Sequence, residues 1–445
     1  MDFQKVSQKI ESLLRGRPLA GWEIFQVASR NLTIEAREQK VDTFTCSQPV
    51  GVSVRVLKDG RMGFSFSTSM DDADLVRMID SALVGAENQT ADEFHLLPLS
   101  EEYPVIPGMF DEGLALVRED EKVRRALELE RLTLAADPRI KRVRKATYGE
   151  SAFEVAIRNS HGVEGSYRGT SVSSSVAALA EEGEDSQMGW DFGFSTSYTG
   201  VHVEDIARVA AAKAAGLLGA RKIPTMTCPA VLDNYVATDI LEVLAPAFLA
   251  ENVQKGKSLL TGREGERLFA ECLKIRDDGI LPGGMATAPF DGEGVPRRDT
   301  VLVENGTLLG FLYDSYCGRK ADKASTGNAA RGGVKGPPRM GVNNFFIENG
   351  RDNQAGLAEG IGRGLLVTSV MGMHTANPIS GDFSVGAAGF LIENGVVTVP
   401  VKGVAIAGNI LELFRNVEKV GNDLRFFGAV GAPSLRIAAL DVSGD

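Results

Sequence analysis

A six-residue block that occurs twice, about 130 residues apart, constrains this chain more than any other feature. Phe64-Ser-Phe-Ser-Thr-Ser69 matches Phe192-Gly-Phe-Ser-Thr-Ser197 at five of six positions. The residues that follow align too: Asp74, Leu75, Arg77 and Gly85 against Asp205, Ile206, Arg208 and Gly216. Chance alone can match six residues, but agreement of the flanking elements points to two copies of one α+β unit. In the first copy, Phe3, Val6, Ile10 and Leu13 share a helical face, so an amphipathic helix opens the chain. Trp22–Val27 and Leu32–Arg37 read as strands. Gly51–Leu57 and Arg61–Ser67 read as a hairpin, because Asp59-Gly60 accepts the positive φ angles of its turn. Asp71, Asp72 and Asp74 then open a helix through Val84, their charges matching its N-terminal dipole. In the second copy a helix from Glu119 to Asp137 comes first, and the Ala-rich helix Asp205–Leu218 comes last. Pro98, Pro104, Pro107 and Gly108 mark residues 96–118 between the copies as a linker.

After Pro224 the character changes. Glu-Asn-Gly occurs at 304–306, 348–350 and 393–395. The first and third lie between apolar runs, the pattern of a tight β-hairpin, whereas the second leads into a polar stretch and is weaker. Asn409 is placed to cap a helix running from Ile410 to Val417. The expected fold class is α+β. Two duplicated subdomains (1–95 and 119–222, joined by 96–118) precede a large antiparallel, barrel-like β domain at 223–445.

Composition excludes several functions. The formal net charge of −11 leaves no basic footprint for nucleic acid. No apolar run approaches the roughly 18 residues of a membrane helix, and the first residues lack a signal-peptide core. Cys46, Cys228, Cys272 and Cys317 have neither metal-site nor redox-motif spacing and read as reduced, buried thiols of a cytoplasmic protein. His95, His161, His202 and His374 are the only histidines, and no two lie within five residues of each other. A helical zinc motif needs paired imidazoles a turn apart. No Gly-x-Ser-x-Gly elbow and no dinucleotide fingerprint occur. Gly327–Lys335 looks like a phosphate loop with its lysine displaced and reads better as a mobile glycine loop. Asp291 and Glu293 sit in a Gly-rich turn, and Asp382 sits in another, where Asp and Gly serve turn geometry first.

Several co-linear motifs resemble the TldD/PmbA family, the modulators of DNA gyrase, over essentially the whole chain. They are Asp291-Gly-Glu-Gly-Val-Pro296 before Val301-Leu-Val-Glu-Asn-Gly306, Ser325-Thr-Gly-Asn-Ala329, and Asn377-Pro-Ile-Ser-Gly-Asp-Phe-Ser384 leading to Gly389-Phe-Leu-Ile-Glu-Asn-Gly395. The resemblance implies that TldD-branch chains hold a catalytic metal with a His-Glu-x-x-x-His helix and a cysteine near the C-terminus. Aligned through Lys255-Gly-Lys-Ser258, the helix here is Asp239–Phe248, with Leu241 and Pro246 at the two His positions and only Glu242 retained. The stretch after Gly421-Asn-Asp423 contains no sulfur. Leu and Pro cannot coordinate a metal, and Pro within a helix costs roughly 3 kcal/mol.

This pattern resembles the PmbA (TldE) branch. It implies a chain with no catalytic, cofactor-binding or metal-binding residues of its own, paired in the cytoplasm with a TldD-like catalytic subunit that carries zinc. The pair would act on unfolded or linear peptides, which could add as strands to an exposed sheet edge. Two other readings remain open. One is a stand-alone metallopeptidase built from His374 or His202 with Glu293 and Asp382. The other is a homodimeric peptide-binding or regulatory scaffold.

Overall fold

The computed structural model describes residues 2–444. The first half forms a single seven-stranded sheet. Its strands are β1 (Gly21–Arg37), β2 (Lys40–Ser47), β3 (Val50–Lys58), β4 (Arg61–Ser67), β5 (Ile140–Asn159), β6 (Glu164–Glu182) and β7 (Asp185–Ser195). The main order is β4-β3-β1-β5-β6-β7, with β2 beside the C-terminal half of β1. The two copies of the repeat are thus joined edge to edge, because β1 pairs with β5 from Glu23–Asn159 to Ala36–Ala146. That pairing also explains why β1 is one strand of 17 residues and not the two expected. Polar Ser29, Arg30 and Asn31 stay extended against β5 while the neighbour on the other side changes from β3 to β2.

Helices α1 (Phe3–Leu14), α2 (Asp72–Glu87), α3 (Glu119–Ala136) and α4 (Val203–Gly216) cover the sheet. In both copies a glycine lets a helix touch strand backbone. A Cβ on Gly63 would lie 1.9 Å from the Ala82 carbonyl of α2, and one on Gly189 would lie 2.4 Å from that of Ala210 in α4. Residues 96–118 are irregular but not a loose tether. Leu97 is buried, Tyr103 donates its hydroxyl to the Gly294 carbonyl, and the Tyr103 ring lies 4.8 Å from that of Phe290.

The C-terminal half holds a closed barrel. Strand β8 (Met226–Leu232) lies between strands 363–371 and 435–443, and strands 382–393 and 396–409 complete the circuit back to 435–443. A second, six-stranded sheet runs in the order 307–308, 299–304, 275–278, 344–347, 430–432, 425–427. The expected barrel-like β domain is largely antiparallel, with two parallel pairings. β8 is parallel to 363–371, and 344–347 is parallel to 430–432, each partner reached through a long crossover. Asn305 (φ 48°) and Asn394 (φ 52°) form the two expected hairpin turns. At the second Glu-Asn-Gly, Asn349 instead accepts a hydrogen bond from the Leu424 N–H. Asn409 caps the short helix Ile410–Arg415 as its sequence predicts.

Two further readings are corrected. Cys228 and Cys317 are buried, but Cys46 and Cys272 are exposed. The 327–335 segment is anchored, not mobile: Asn328 donates to Asp277, Arg331 reaches Glu23, and Val334 packs among Phe25, Val155 and Phe290. No helix among the described residues is long and apolar enough to cross a membrane.

Candidate functional site

Asp233 opens helix α5 (Asn234–Leu244) by accepting a hydrogen bond from the Val236 N–H. One face of the helix, Val236, Ala237, Ile240, Leu241 and Leu244, is sealed in the core of the C-terminal half. The α-helix ends at Leu244, earlier than expected, and Ala245–Phe248 form a 3-10 turn. Pro246 has no N–H to donate to the carbonyl of Glu242, so the regular ladder stops there. Leu241 is 0% exposed, whereas Glu242 points outward beside Tyr235 and Asp239. Asn234 donates to the Asp423 carbonyl, which ties α5 to the sulfur-free C-terminal stretch.

These residues do not fit a zinc ion. Of the three aligned positions one is a carboxylate and two are hydrocarbon, one of those in the core, while a catalytic zinc needs three protein ligands. Nor do the alternative ligands converge. His202 flanks the start of α4 and His374 lies exposed in a single 3-10 turn. Glu293 is buried in ion pairs, and Asp382 is exposed, accepting from Ser380 and Asn409. Among the described residues no group of three or more His, Cys, Asp or Glu is placed to hold a metal.

The outward face of α5 joins a cluster that sequence reading did not find. Tyr235, Trp190 of β7 and Phe427 meet edge to face, with centroids 5.2 Å (Trp190–Tyr235) and 5.1 Å (Tyr235–Phe427) apart. The Lys213 ammonium lies 5.9 Å from both the Trp190 and Tyr235 rings and 3.5 Å from Asp191. Arg425 reaches Asp191 at 2.9 Å. Burial, then the charge of Glu242, pushes the Asp239 carboxyl up to about 6. Burial pushes Asp233 up to about 7. These residues come from segments up to 237 positions apart, so no local spacing announces them.

Beside this cluster lies a cleft of about 500 Å³, lined by Phe192–Phe194, Leu281–Met285 and Leu424–Phe426. It is bounded by the last strands of two sheets, β7 and 425–427, neither of which, among the described residues, pairs with another strand on its outer side. Its walls combine apolar side chains with exposed backbone polar groups, and Arg425 is its charged group.

The two turn carboxylates have a different task. Glu23 and Arg55 of the first sheet meet Glu293 and Arg331 of the C-terminal half in a buried ion cluster. The Arg55 guanidinium lies 3.0 Å from Glu293 Oε1, and the other oxygen of Glu293 accepts from the Ser315 N–H. Asp291 organises its own turn by accepting from the N–H groups of Glu293, Val295 and Ala329. The structural role expected of this turn holds, with an added one: it fastens the two halves together.

Comparison with known proteins agrees with this architecture. Family models described as PmbA/TldA metallopeptidase domain 1, central domain and C-terminal domain match residues 22–86, 113–218 and 225–444. An uncharacterised protein of Methanocaldococcus jannaschii is 30% identical over 418 residues, 93% of this chain and 94% of that one. The metalloprotease PmbA of Escherichia coli O157:H7 is 26% identical, covering 95% and 92%. The crystal structure of TldE from Thermococcus kodakarensis superposes with a TM-score of 0.91 at 26% identity, covering 98% of this chain and all of that one. The chain belongs to the TldD/PmbA metallopeptidase family.

Proposed function

We propose that this chain is the non-catalytic, PmbA/TldE-type subunit of a cytoplasmic metallopeptidase that degrades unfolded or linear peptides. A TldD-type partner supplies the zinc. The observation that carries the reading is hydrocarbon at both imidazole positions, Leu241 in the core and Pro246 ending the helix, with the rest of the family architecture intact. A lone Glu242 has no metal-bound water to deprotonate. Likeness to a protein named TldE supports the same assignment. The cleft beside α5 suits a share in substrate capture: main-chain groups of an extended peptide can pair with an open strand edge, and walls of mixed apolar side chains and backbone accept side chains without a strict sequence.

The test uses an unstructured fluorescent peptide. The purified chain alone is expected to bind it without cutting it, and to carry no stoichiometric zinc by atomic emission. Adding a TldD-type chain from the same organism should produce cleavage that a chelator abolishes. Cleavage by the isolated chain together with stoichiometric zinc would overturn the proposal.

A further inference from the structure

A second cavity, of about 650 Å³, lies where the two halves of the chain face each other, and it shares no lining residue with the cleft beside α5. The first half contributes Arg55 of β3, Met62 of β4, and His95 and Leu96. The C-terminal half contributes residues from the short helices Ala250–Gln254 and Ser315–Ala321, the turn carboxylate Glu293, and the segment 337–340. Arg55 and Glu293, ion-paired at 3.0 Å and each 6% exposed, form its most buried wall.

Seven charged groups border this space, and four of them are neutralised in pairs. Glu293 holds Arg55, and Glu251 holds Lys255. The remaining three have no such partner among the described residues. Asp314 caps the helix Ser315–Ala321 by accepting from the Cys317 N–H at 2.7 Å, and no ammonium or guanidinium pairs with it. Burial, then the charge of Glu293, lifts its carboxyl above the ordinary value. The Lys320 ammonium lies 5.3 Å from the Tyr316 ring centre and 5.7 Å from that of Phe94, with no carboxylate at ion-pair distance. Arg339 is exposed and also unpaired. His95 adds no fixed charge, because burial holds its imidazole below the ordinary value.

One carboxylate and two cations are thus left around a single cavity. A ligand of one sign meets the wrong charge on one wall, and an uncharged ligand desolvates all three groups without pairing any. A molecule with an ammonium at one end and a carboxylate at the other satisfies both walls. Met62, Leu96 and Met340 supply apolar surface that a hydrocarbon side chain can cover. The volume is in the range of pockets that enclose small ligands.

We propose that this cavity between the halves binds a short zwitterionic peptide, with its ammonium at Asp314 and its carboxylate between Lys320 and Arg339. A long unfolded chain does not match the pattern, because its two charged termini cannot both lie in one cavity of this size. The inference goes beyond the catalytic assignment above and does not depend on it.

Isothermal titration calorimetry of the full chain with the dipeptide alanyl-leucine tests it. Saturable binding is expected, with a dissociation constant of about 1 mM or below. N-acetyl-alanyl-leucine and alanyl-leucine amide each lack one of the two charges, and each should bind roughly tenfold or more weakly. The double variant Lys320→Glu, Arg339→Glu, at two exposed positions, should lose roughly tenfold or more in affinity while far-UV circular dichroism stays unchanged. The blocked dipeptides decide the question on wild-type protein even if the variant misfolds. No saturable binding by the wild type, either blocked form binding as tightly as the free dipeptide, or full affinity in the folded double variant would each defeat the proposal. Cleavage of the long fluorescent peptide with a TldD-type partner is read separately, so the two proposals fail independently.

Discussion

Asp233 caps α5 from a position where burial raises its carboxyl to about 7. Its native pKa therefore exceeds the ordinary value of 3.8, and the folded state holds the proton more tightly than the unfolded chain does. The stability gained is complete below pH 3.8 and is lost as pH rises through about 7. Asparagine keeps the capping oxygen and cannot titrate. Between pH 5 and 8 the wild-type unfolding free energy should fall relative to that of Asp233→Asn, as measured by urea denaturation; parallel pH profiles would contradict this. At this scale the sequence located Leu241, Glu242 and Pro246 by type and spacing. It could not tell that Leu241 lies in the core while Glu242 faces outward beside Tyr235 and Asp239, since burial is set by elements distant in the chain.

The elements themselves were largely legible where chemistry is local. Asp59-Gly60, Asn305-Gly306 and Asn394-Gly395 fix their turns because few residue pairs tolerate two positive φ angles. The two Asn-Gly turns are not equivalent in packing, however. Gly306 and Gly395 have nearly the same φ, 76° and 77°. A Cβ on Gly306 would lie 2.3 Å from the Phe269 carbonyl, whereas one on Gly395 would come no closer than 3.5 Å to any atom. Gly395→Ala should therefore cost about 1 kcal/mol, the backbone term alone. Gly306→Ala should cost distinctly more, because backbone must also move. Paired thermal melts measure the difference, and equal losses would show that the Phe269 contact yields freely. What local reading missed was β1 as a single strand: Ser29, Arg30 and Asn31 look like a break until β5 is seen pairing across them.

For the whole molecule, the junction of the two halves is decided by four charges buried together. Glu23 is the hub, meeting both Arg55 and Arg331. Glu23→Ala would leave two guanidinium groups short of a partner in a site that water does not reach. Losing one partner of a buried pair typically costs about 3–5 kcal/mol, a large part of a domain's net stability. Equilibrium denaturation should show that loss, and limited proteolysis should speed up at residues 96–118, which bridge the halves through Tyr103 and Gly294. A variant as stable and as protease-resistant as wild type would mean that the cluster holds nothing. None of this junction was readable beforehand. Glu293 and Arg331 belonged to turns whose glycine content explained them adequately, and their partners lie 238 and 308 positions away.

The sequence by itself determined the repeat, the hairpins, the helix caps and the identity of the residues at the family's metal positions. Each rests on interactions within a few residues, or on whether a side chain has a donor atom at all. Only the tertiary structure decided that the two copies share one sheet, that the barrel closes on 435–443 and that turn carboxylates lock the halves. Those outcomes depend on which edges find partners, and pairing between distant segments is governed by packing and burial, quantities that exist only once the chain has folded.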